Sequence, residues 1–301
     1  MATRAIDNRP ILMRWLAMLI GGTGRFLKLM SHNKTGFVGF LIFVGFLLLA
    51  YVGPLLVPAV TKADVTAIYA PPSRAHILGT DSQGKDIFAQ IVHGGRDIIQ
   101  MALLTGIIST LVGITLGALS AVIGGSFDAI LTTAADIWLT IPRFPLLAVL
   151  ATLIKLQDLF TLALLLAFLG WAGLYRSIRA QVFSIKERDY VEAAVSLDLG
   201  LRHIIFSEIL PNMMAYIAIS FTFGMTSAIY AQVGLVFLGL VPLTRNWGVM
   251  INLAWTQGAI FFKNSVYFIM VPVACIALFQ LSVVWMSRSL EEFFNPRLRT
   301  G

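Results

Sequence analysis

The chain has 301 residues, of which 58% are hydrophobic and only 12% are charged. Soluble domains carry about 25% charged residues, so this composition excludes an ordinary soluble protein and indicates a chain that lies largely in lipid. The formal net charge of +7 comes from basic residues scattered over the connections, which favours membrane topology and lipid headgroup contacts over nucleic acid binding.

Residues 1–34 precede the first long apolar stretch. Arg14, Arg25 and Lys28 interrupt their apolar residues before any small-residue cleavage site, so the segment does not match a secretory signal peptide. We expect residues 11–30 to form a helix along the inner membrane surface. Residues 1–34 are therefore predicted to be a cytoplasmic and interfacial segment.

Six apolar stretches are long enough to cross a bilayer. Backbone amides in hydrocarbon must bond within their own segment, and no stretch alternates like a membrane barrel strand, so helices are predicted. The fold class is therefore an all-α integral membrane protein with six transmembrane helices, a membrane domain over 35–288 and a C-terminal tail over 289–301. The predicted spans are 35–57, 98–123, 129–154, 159–175, 213–240 and 266–286.

The distribution of Lys and Arg orients these helices. When both termini are placed inside, most basic residues fall in cytoplasmic segments and few fall outside. The positive-inside rule therefore favours both termini in the cytoplasm. On this topology residues 58–97 form an external loop and residues 186–212 a cytoplasmic loop.

The external loop is predicted to be ordered and to contain short helical pieces, because prolines and glycines punctuate it. These residues are Pro71, Pro72, Gly79, Gly84 and Gly94.

The same loop contains a sequence that mimics a phosphate-binding loop, since Gly79, Gly84 and Lys85 fit its first seven positions. Asp86 stands where such a loop offers a hydroxyl to magnesium, and no apolar strand precedes the glycines. We therefore expect no nucleotide site here.

Small residues recur at helical spacing in the second predicted span. Gly113, Gly117, Gly124 and Gly125 would let another helix approach closely, so we expect them to serve packing.

The third predicted span carries charges at membrane depth. Asp136 and Arg143 are seven residues apart, about two helical turns, so they share a face and can approach each other or partners on neighbouring helices. Pro142 and Pro145 flank Arg143 and predict a kink. Such charges face a bundle interior or a water-filled path, so the span either lines a translocation path or contains a structural pair that orients it.

Residues 186–212 have the pattern of a short helix, a sharp turn and a second helix. The first helix would place Tyr190, Ala193 and Ala194 on one side, giving a small face that another surface can approach. Asp198 and Gly200 mark the turn, because both residue types tolerate left-handed backbone.

The sequence offers no metal-binding or catalytic constellation. Its histidines are dispersed outside the spans, Cys275 has no second cysteine to pair with, and no nucleophile lies near a base at membrane depth. We predict no metal site, no catalytic residue and no enzyme activity in this chain. The histidines are His32, His76, His93 and His203.

The cytoplasmic loop resembles the coupling loop of ABC importer permeases, in which Glu-Ala-Ala is followed by Gly and later by Ile and Leu-Pro. Asp198 stands where the family usually has Gly, with Gly200 two positions later. The matching residues are Glu192, Ala193, Ala194, Ile205, Leu210 and Pro211. The residues to which the resemblance assigns ATPase coupling are Arg188, Asp189, Tyr190, Glu192, Ala193, Ala194, Asp198, Gly200, Leu210 and Pro211.

The external loop resembles the signature of the oligopeptide and dipeptide branch of these permeases, here as its second (C-type) subunit. Lys85 stands where Arg is usual, which keeps the charge but loses a planar fork. The residues offered for docking of an external binding protein are His76, Gly79, Thr80, Asp81, Gly84, Lys85 and Asp86.

Further matches follow the fifth span, at Phe237, Leu238, Gly239 and Trp247-Gly248, and at the C-terminal 295–298. Gln232 stands where the branch commonly has Glu. Asp136, Arg143 and Gln232 are the candidates for the translocation pathway.

The resemblance implies a type I ABC importer permease fold in a prokaryotic plasma or inner membrane. It also implies a second homologous permease, an external binding protein, and two cytoplasmic ATPase subunits that bind ATP and Mg, so that this chain holds no cofactor. The substrate would be a peptide or a similar small solute, such as an oligosaccharide or a nickel complex.

Two other classes are compatible with six spans. A stand-alone secondary transporter or channel would show repeated halves and intramembrane ion ligands, and the sequence has no convincing repeat. A membrane anchor for a cytoplasmic partner is the third possibility. Charge reversal at Glu192 separates the importer from a self-sufficient transporter.

Overall fold

The computed structural model describes residues 33–59, 62–154, 156, 158–241 and 246–294, with the backbone alone over 290–294. The predicted interfacial helix at 11–30 and the motif at 295–298 lie outside these residues. Within them the chain is almost entirely helical, and the longer helices are α1 Lys34–Tyr51, α2 Ile87–Ile123, α3 Gly125–Thr140, α4 Arg143–Ile154, α5 Leu159–Lys186, α6 Asp189–Ser196, α7 Met214–Phe237, α8 Trp247–Thr256 and α9 Val266–Phe294.

Five helical segments in the described part of the chain are long and apolar enough to cross a membrane, and the pair α3 and α4 would be a sixth span. The axes of α3 and α4 differ by 88°. The kink predicted from Pro142 and Pro145 is therefore confirmed, as a break at 141–142 between two helices.

Two helices extend beyond the predicted spans. Helix α2 begins at Ile87, so residues 87–97 of the predicted external loop are helical and continuous with the span. Gly94 accordingly lies inside a helix, and a Cβ there would be 3.1 Å from the Cα of Asn246. Helix α5 continues to Lys186, because its polar last turns form ion pairs and hydrogen bonds inside the chain.

Side-chain caps begin several helices. Asp86 accepts from Ala89 N at 2.8 Å at the start of α2, and Asp158 accepts from Thr161 N at 2.8 Å at the start of α5. Each cap satisfies a backbone N–H that has no partner inside its helix.

Helices α2 and α5 form the most extensive pair and run in the same direction. A Cβ at Gly113 would lie 2.9 Å from Leu174 Cβ, and one at Gly117 would lie 3.0 Å from Arg179 N, so the packing expected of these two glycines is confirmed. For Gly124 and Gly125 the packing prediction is wrong, because a Cβ at either position would meet no atom within 4 Å. Their φ angles of 69° and 59° place them in the turn into α3.

Candidate coupling surface and membrane cavity

The loop at 186–212 folds as a helix, a turn and a second helical segment, as its pattern predicts. The turn follows α6, where Asp198 and Gly200 have φ angles of 51° and 78°. Gly200–His203 is helical, Ile204–Ile209 forms a wider π-helical turn, and a short 3-10 turn, with Pro211 near its start, joins α7.

One face of this loop is buried against the ends of α2 and α5. Val191 and Ala194 of α6 and Ile209 of the second segment pack on a cluster that includes Ile178 and Val182 of α5. Burial of each large aliphatic side chain stabilises the contact by roughly 1.5–3 kcal/mol, so the loop is held firmly on these helices. The face predicted from Ala193 and Ala194 is therefore divided, since Ala194 points inward and Ala193 is exposed.

The opposite face of the loop, which we call the coupling face, exposes large apolar side chains. Leu197 at its tip is 71% exposed. Arg188, Asp189 and Glu192 are exposed among these side chains, and Leu210 is partly buried. A soluble surface rarely exposes so much apolar area without a partner. The apolar residues are Tyr190, Val195, Leu197, Leu199, Leu201 and Phe206.

Polar contacts fix the last turns of α5, which lead into the coupling loop, to the end of α2 and the start of α3. Lys186 Nζ donates to Ala121 O at 3.1 Å at the end of α2, where carbonyls lack helical partners. The Arg179 guanidinium donates two hydrogen bonds to the Asp128 carboxylate. Ser120 donates a third to Asp128, and the Ser120 hydroxyl lies 2.7 Å from Tyr175 Oη. Sequence reasoning missed this network, because Asp128 and Arg179 are 51 residues apart and share no local pattern.

The residues predicted to dock a binding protein form an internally bonded loop. Asp81 is 3% exposed, and its carboxylate accepts hydrogen bonds from the N–H groups of Gln83 and Lys85 and from Gln90 Nε2. His76 Nδ1 lies 2.9 Å from Asp86 Oδ2. These contacts set the shape of the loop.

Other members of the docking motif fix its backbone. Thr80 is buried, and its hydroxyl donates to Ala67 O and accepts from Ala70 N. Gly79 and Gly84 have φ angles of 76° and 71°, and a Cβ at Gly84 would overlap Asp64 O. Lys85 is partly exposed and donates to Gln83 Oε1 at 2.6 Å.

Two titratable groups in this loop are shifted by their surroundings. The hydroxyl and backbone N–H of Thr66 donate to Asp64 and hold the pKa of its carboxyl below the usual value. Burial raises the pKa of Tyr69, whose ring stacks on Phe262 at a centroid distance of 5.0 Å.

Trp247, one of the family matches that follow the fifth predicted span, lies in the core. Its indole donates to Ile91 O at 2.9 Å, across the face of α2 that carries Gly94 and Gly95. Phe237 ends α7, and Gly239 follows with a φ of 69°. These motif residues therefore join α7 and α8 to α2.

The structure separates the three pathway candidates. Asp136 pairs with Arg176 at 3.5 Å on the outside of α5, while Arg143 donates to Ser227 Oγ of α7 at 3.0 Å. Of the two arrangements that their spacing allowed, Asp136 and Arg143 adopt the one in which each meets a partner on a neighbouring helix, because the 88° break lies between them. Gln232 is 4% exposed on α7, and its Oε1 has no hydrogen-bond partner in the described chain.

Arg143 lies at a cavity of about 470 Å³ between α2, α5 and α7. Its other lining residues are mostly small or hydroxylic. In retrospect they have a sequence signal, because they recur at three- or four-residue steps within apolar spans. They include Ser109 on α2, Gly170, Gly173 and Ser177 on α5, and Tyr216, Ser220, Gly224 and Ser227 at the start of and along α7.

No group of three or more His, Cys, Asp or Glu side chains that could hold a metal ion occurs among the residues with a described structure. The geometry therefore offers two candidate sites, the coupling face and the cavity at Arg143.

Comparison with known proteins matches residues 113–300 to the family described as "Binding-protein-dependent transport system inner membrane component". A protein of Brucella suis biovar 1, which carries the name of a peptide permease protein, is 31% identical over 276 residues, covering 91% of this chain and 89% of the relative.

Two relatives come from Bacillus subtilis. The oligopeptide transport system permease protein OppC is 30% identical over 276 residues, covering 89% of this chain and 87% of the relative. The dipeptide transport system permease protein DppC is 31% identical over 227 residues, covering 74% of this chain and 70% of the relative.

Proposed function

We propose, from the premise that this chain belongs to the family of inner membrane components of binding-protein-dependent transport systems, that it imports peptides. As a member of that family it is a multi-pass permease subunit of an ABC importer. The peptide substrate is inferred from the names of relatives that cover most of this chain. An oligosaccharide or metal complex is the competing solute class, and the ligand carried by the co-purified binding protein, identified by mass spectrometry, decides between them.

The importer is proposed to contain a second, homologous permease beside this chain. Helix α3 supports this assignment, since Ala135 is its one buried residue in this chain. Large apolar side chains such as Ile130 and Ile137 are exposed on α3. A second permease and lipid would cover this surface, and the pathway would run between the two subunits.

ATP and magnesium are proposed to bind to two cytoplasmic ATPase subunits and not to this chain. Residues Gly79–Lys85 resemble a phosphate-binding loop, but their contacts do not suit a nucleotide. Asp86 caps α2 in place of the required hydroxyl, and the Asp81 carboxylate accepts the Lys85 N–H that would otherwise face a phosphate.

An external binding protein is proposed to dock on the face opposite the coupling loop. The external loop has the rigidity that such docking needs, because Asp81 and Thr80 bond it internally. We assign the contact to its exposed parts, including Lys85, and assign a positioning role to the buried members of the motif. On this arrangement both termini lie in the cytoplasm, in agreement with the distribution of Lys and Arg.

The coupling face is the observation that carries the mechanism. Its outer side offers Leu197, Phe206 and Glu192 to a partner, while its inner side is packed on α2 and α5. A force applied by an ATPase subunit would therefore pass to α2 and α5, two of the helices that line the cavity. The loop would act as a rigid lever between ATP hydrolysis and the pathway.

Substitutions on the coupling face test this function. Glu192→Lys and Leu197→Asp should each abolish co-purification of the ATPase subunits and ATP-driven uptake, because both change exposed side chains without disturbing the packed inner face. Asp64→Lys is the matched control, since it reverses an exposed charge in the external loop and should leave the ATPase subunits bound. Uptake that persists after the ATPase subunits have dissociated would instead establish a self-sufficient transporter.

A further inference from the structure

Arg143, an exposed residue at the start of α4, lines the cavity with a charge that has no acidic partner in the described chain. The guanidinium lies between α7, where Nη1 donates to Ser227 Oγ at 3.0 Å, and α5, where Nη2 would lie 3.5 Å from a Cβ at Gly170. Arg143 has no carboxylate partner within the described residues, and no Asp or Glu is among those that line the cavity. A cation at membrane depth is costly unless an anion or water accompanies it.

The α7 wall of the cavity carries a hydroxyl without a partner in the described chain. Ser220 is 4% exposed and lines the cavity. Unlike Ser109, whose hydroxyl donates to Thr105 O at 2.6 Å, Ser220 makes no hydrogen bond in the part of the chain that the structure describes. Because Ser220 lines the cavity, its hydroxyl is available to a molecule there.

The size and the remaining lining of the cavity suit a small organic ligand. Its volume of about 470 Å³ lies within the range of roughly 300–1,000 Å³ that is usual for ligand pockets. Gly170 and Gly173 place no side chain on the α5 side of the cavity, which leaves space beside the guanidinium. Phe223 and Leu166 supply apolar surface on either side.

We infer that this cavity is a transient substrate site in which Arg143 binds a carboxylate of the transported peptide and Ser220 donates a hydrogen bond to it. The inference rests on the proposed import of peptides and deepens it. A guanidinium matches a carboxylate with two parallel N–H donors, and Arg143 uses only one nitrogen on Ser227. The carboxylate can come from the peptide C-terminus or from an acidic side chain.

Three peptides distinguish these sources. The assay measures ATP-driven uptake into proteoliposomes that contain the complete transporter, with trialanine, trialanine amide and Ala-Glu-Ala amide as substrates. The wild type should prefer the two peptides that carry a carboxylate, or only one of them if a single source is used. In Arg143→Gln the ratio of carboxylate to amide uptake should fall by about tenfold, as for loss of one charge-assisted hydrogen bond.

Two controls accompany Arg143→Gln. Arg143→Lys keeps the charge and should retain most of the preference. Arg176→Gln removes another arginine of the bundle, whose partner is Asp136 outside the cavity, and should leave the ratio unchanged. The binding protein is the same throughout, so its own preference cancels when the ratios of two variants are compared.

A separate measurement applies even if Arg143→Gln fails to assemble. In a Cys275→Ala background, Ser220→Cys places a thiol in the cavity of the assembled transporter. Sulfonatoethyl methanethiosulfonate should react with it faster than the trimethylammonium reagent, relative to their rates with free cysteine, and trialanine should slow both reactions.

The outcomes separate the inference from the proposed function. Uptake of none of the three peptides by the wild type would overturn peptide import and this inference together. The inference alone would be overturned if peptides are taken up but Arg143→Gln keeps the carboxylate preference of the wild type. It would also be overturned if the two reagents react at equal relative rates with the thiol introduced by Ser220→Cys and trialanine does not protect it. Arg143 would then be a structural link to Ser227.

Discussion

The Asp128 carboxylate lies 2.5 Å from both Nε and Nη2 of Arg179, so the first turn of α3 is joined to α5 about two helical turns before α5 ends at Lys186. Ser120 of α2 bonds to the same carboxylate. Helices α2, α3 and α5 therefore meet at one acidic side chain, and α2 and α5 also line the cavity.

Replacing Asp128 by Asn should destabilise the transporter, because Arg179 then lacks a charged partner in a largely covered position. Breaking a fully buried pair costs about 3–5 kcal/mol, and for this partly exposed pair we expect about 2 kcal/mol. The melting temperature of the purified transporter measures the loss. Asp136→Asn, at an exposed pair, is the control and should change it little. Equal effects of the two substitutions would show that the Asp128 pair has no special role.

A methyl group at Gly39 should separate α1 from α9. A Cβ at this position would lie 2.8 Å from Ser282 O and 2.6 Å from Trp285 Cβ. Gly39→Ala is therefore expected to cost about 1–3 kcal/mol by overpacking, measured as a lower melting temperature. Gly45→Ala on the same helix meets no atom within 4 Å and should be neutral or slightly stabilising. A loss at Gly45 as large as at Gly39 would contradict the packing seen here.

Removal of the Asp81 carboxylate should loosen the external loop. Asp81→Ala leaves the N–H groups of Gln83 and Lys85 without their carboxylate acceptor, at about 1.5–3 kcal/mol for each hydrogen bond to a charged group. Hydrogen exchange at these two amides should accelerate more than tenfold, as about 1.4 kcal/mol corresponds to a factor of ten. Asp64→Ala, which removes an exposed cap on Thr66, should leave both rates unchanged.

Unlike the three substitutions above, replacement of the buried Gln232 amide is not expected to destabilise the chain. Its Oε1 has no partner among the described residues, so Gln232→Leu removes an unsatisfied acceptor at similar volume. The melting temperature should stay the same or rise, because the substitution stabilises the chain by at most about 1–3 kcal/mol. A sharp loss of permease pairing on affinity purification would instead show that the second permease bonds to this amide.

Local signals were sufficient for the elements of the coupling loop. Asp198 and Gly200 both adopt left-handed backbone, and Pro211 starts a new turn, because these preferences depend on the residue itself. The direction in which α6 faces was not predictable from its own residues. Val191 and Ala194 are buried in a cluster with the second segment of the loop and with Ile178 and Val182 of α5, so their burial depends on how these segments pack together.

The break beside Arg143 likewise combines a feature that the sequence predicts with one that only the packing of the helices decides. Pro142 and Pro145 predicted a kink, but the shared helical face left open whether Asp136 and Arg143 approach each other or partners on neighbouring helices. An axis change of 88° sends them to Arg176 and Ser227 on different helices.

The amino-acid sequence by itself determined that this chain is a helical membrane protein, where its apolar stretches lie and where its coupling loop turns. Hydrophobic length and backbone preference are properties of short segments, so they can be read without knowing what packs beside them. The tertiary structure alone decided which charges pair, which motif residues are buried, and that Arg143 faces a cavity without an acid, since each of these depends on contacts between residues that are distant in the chain.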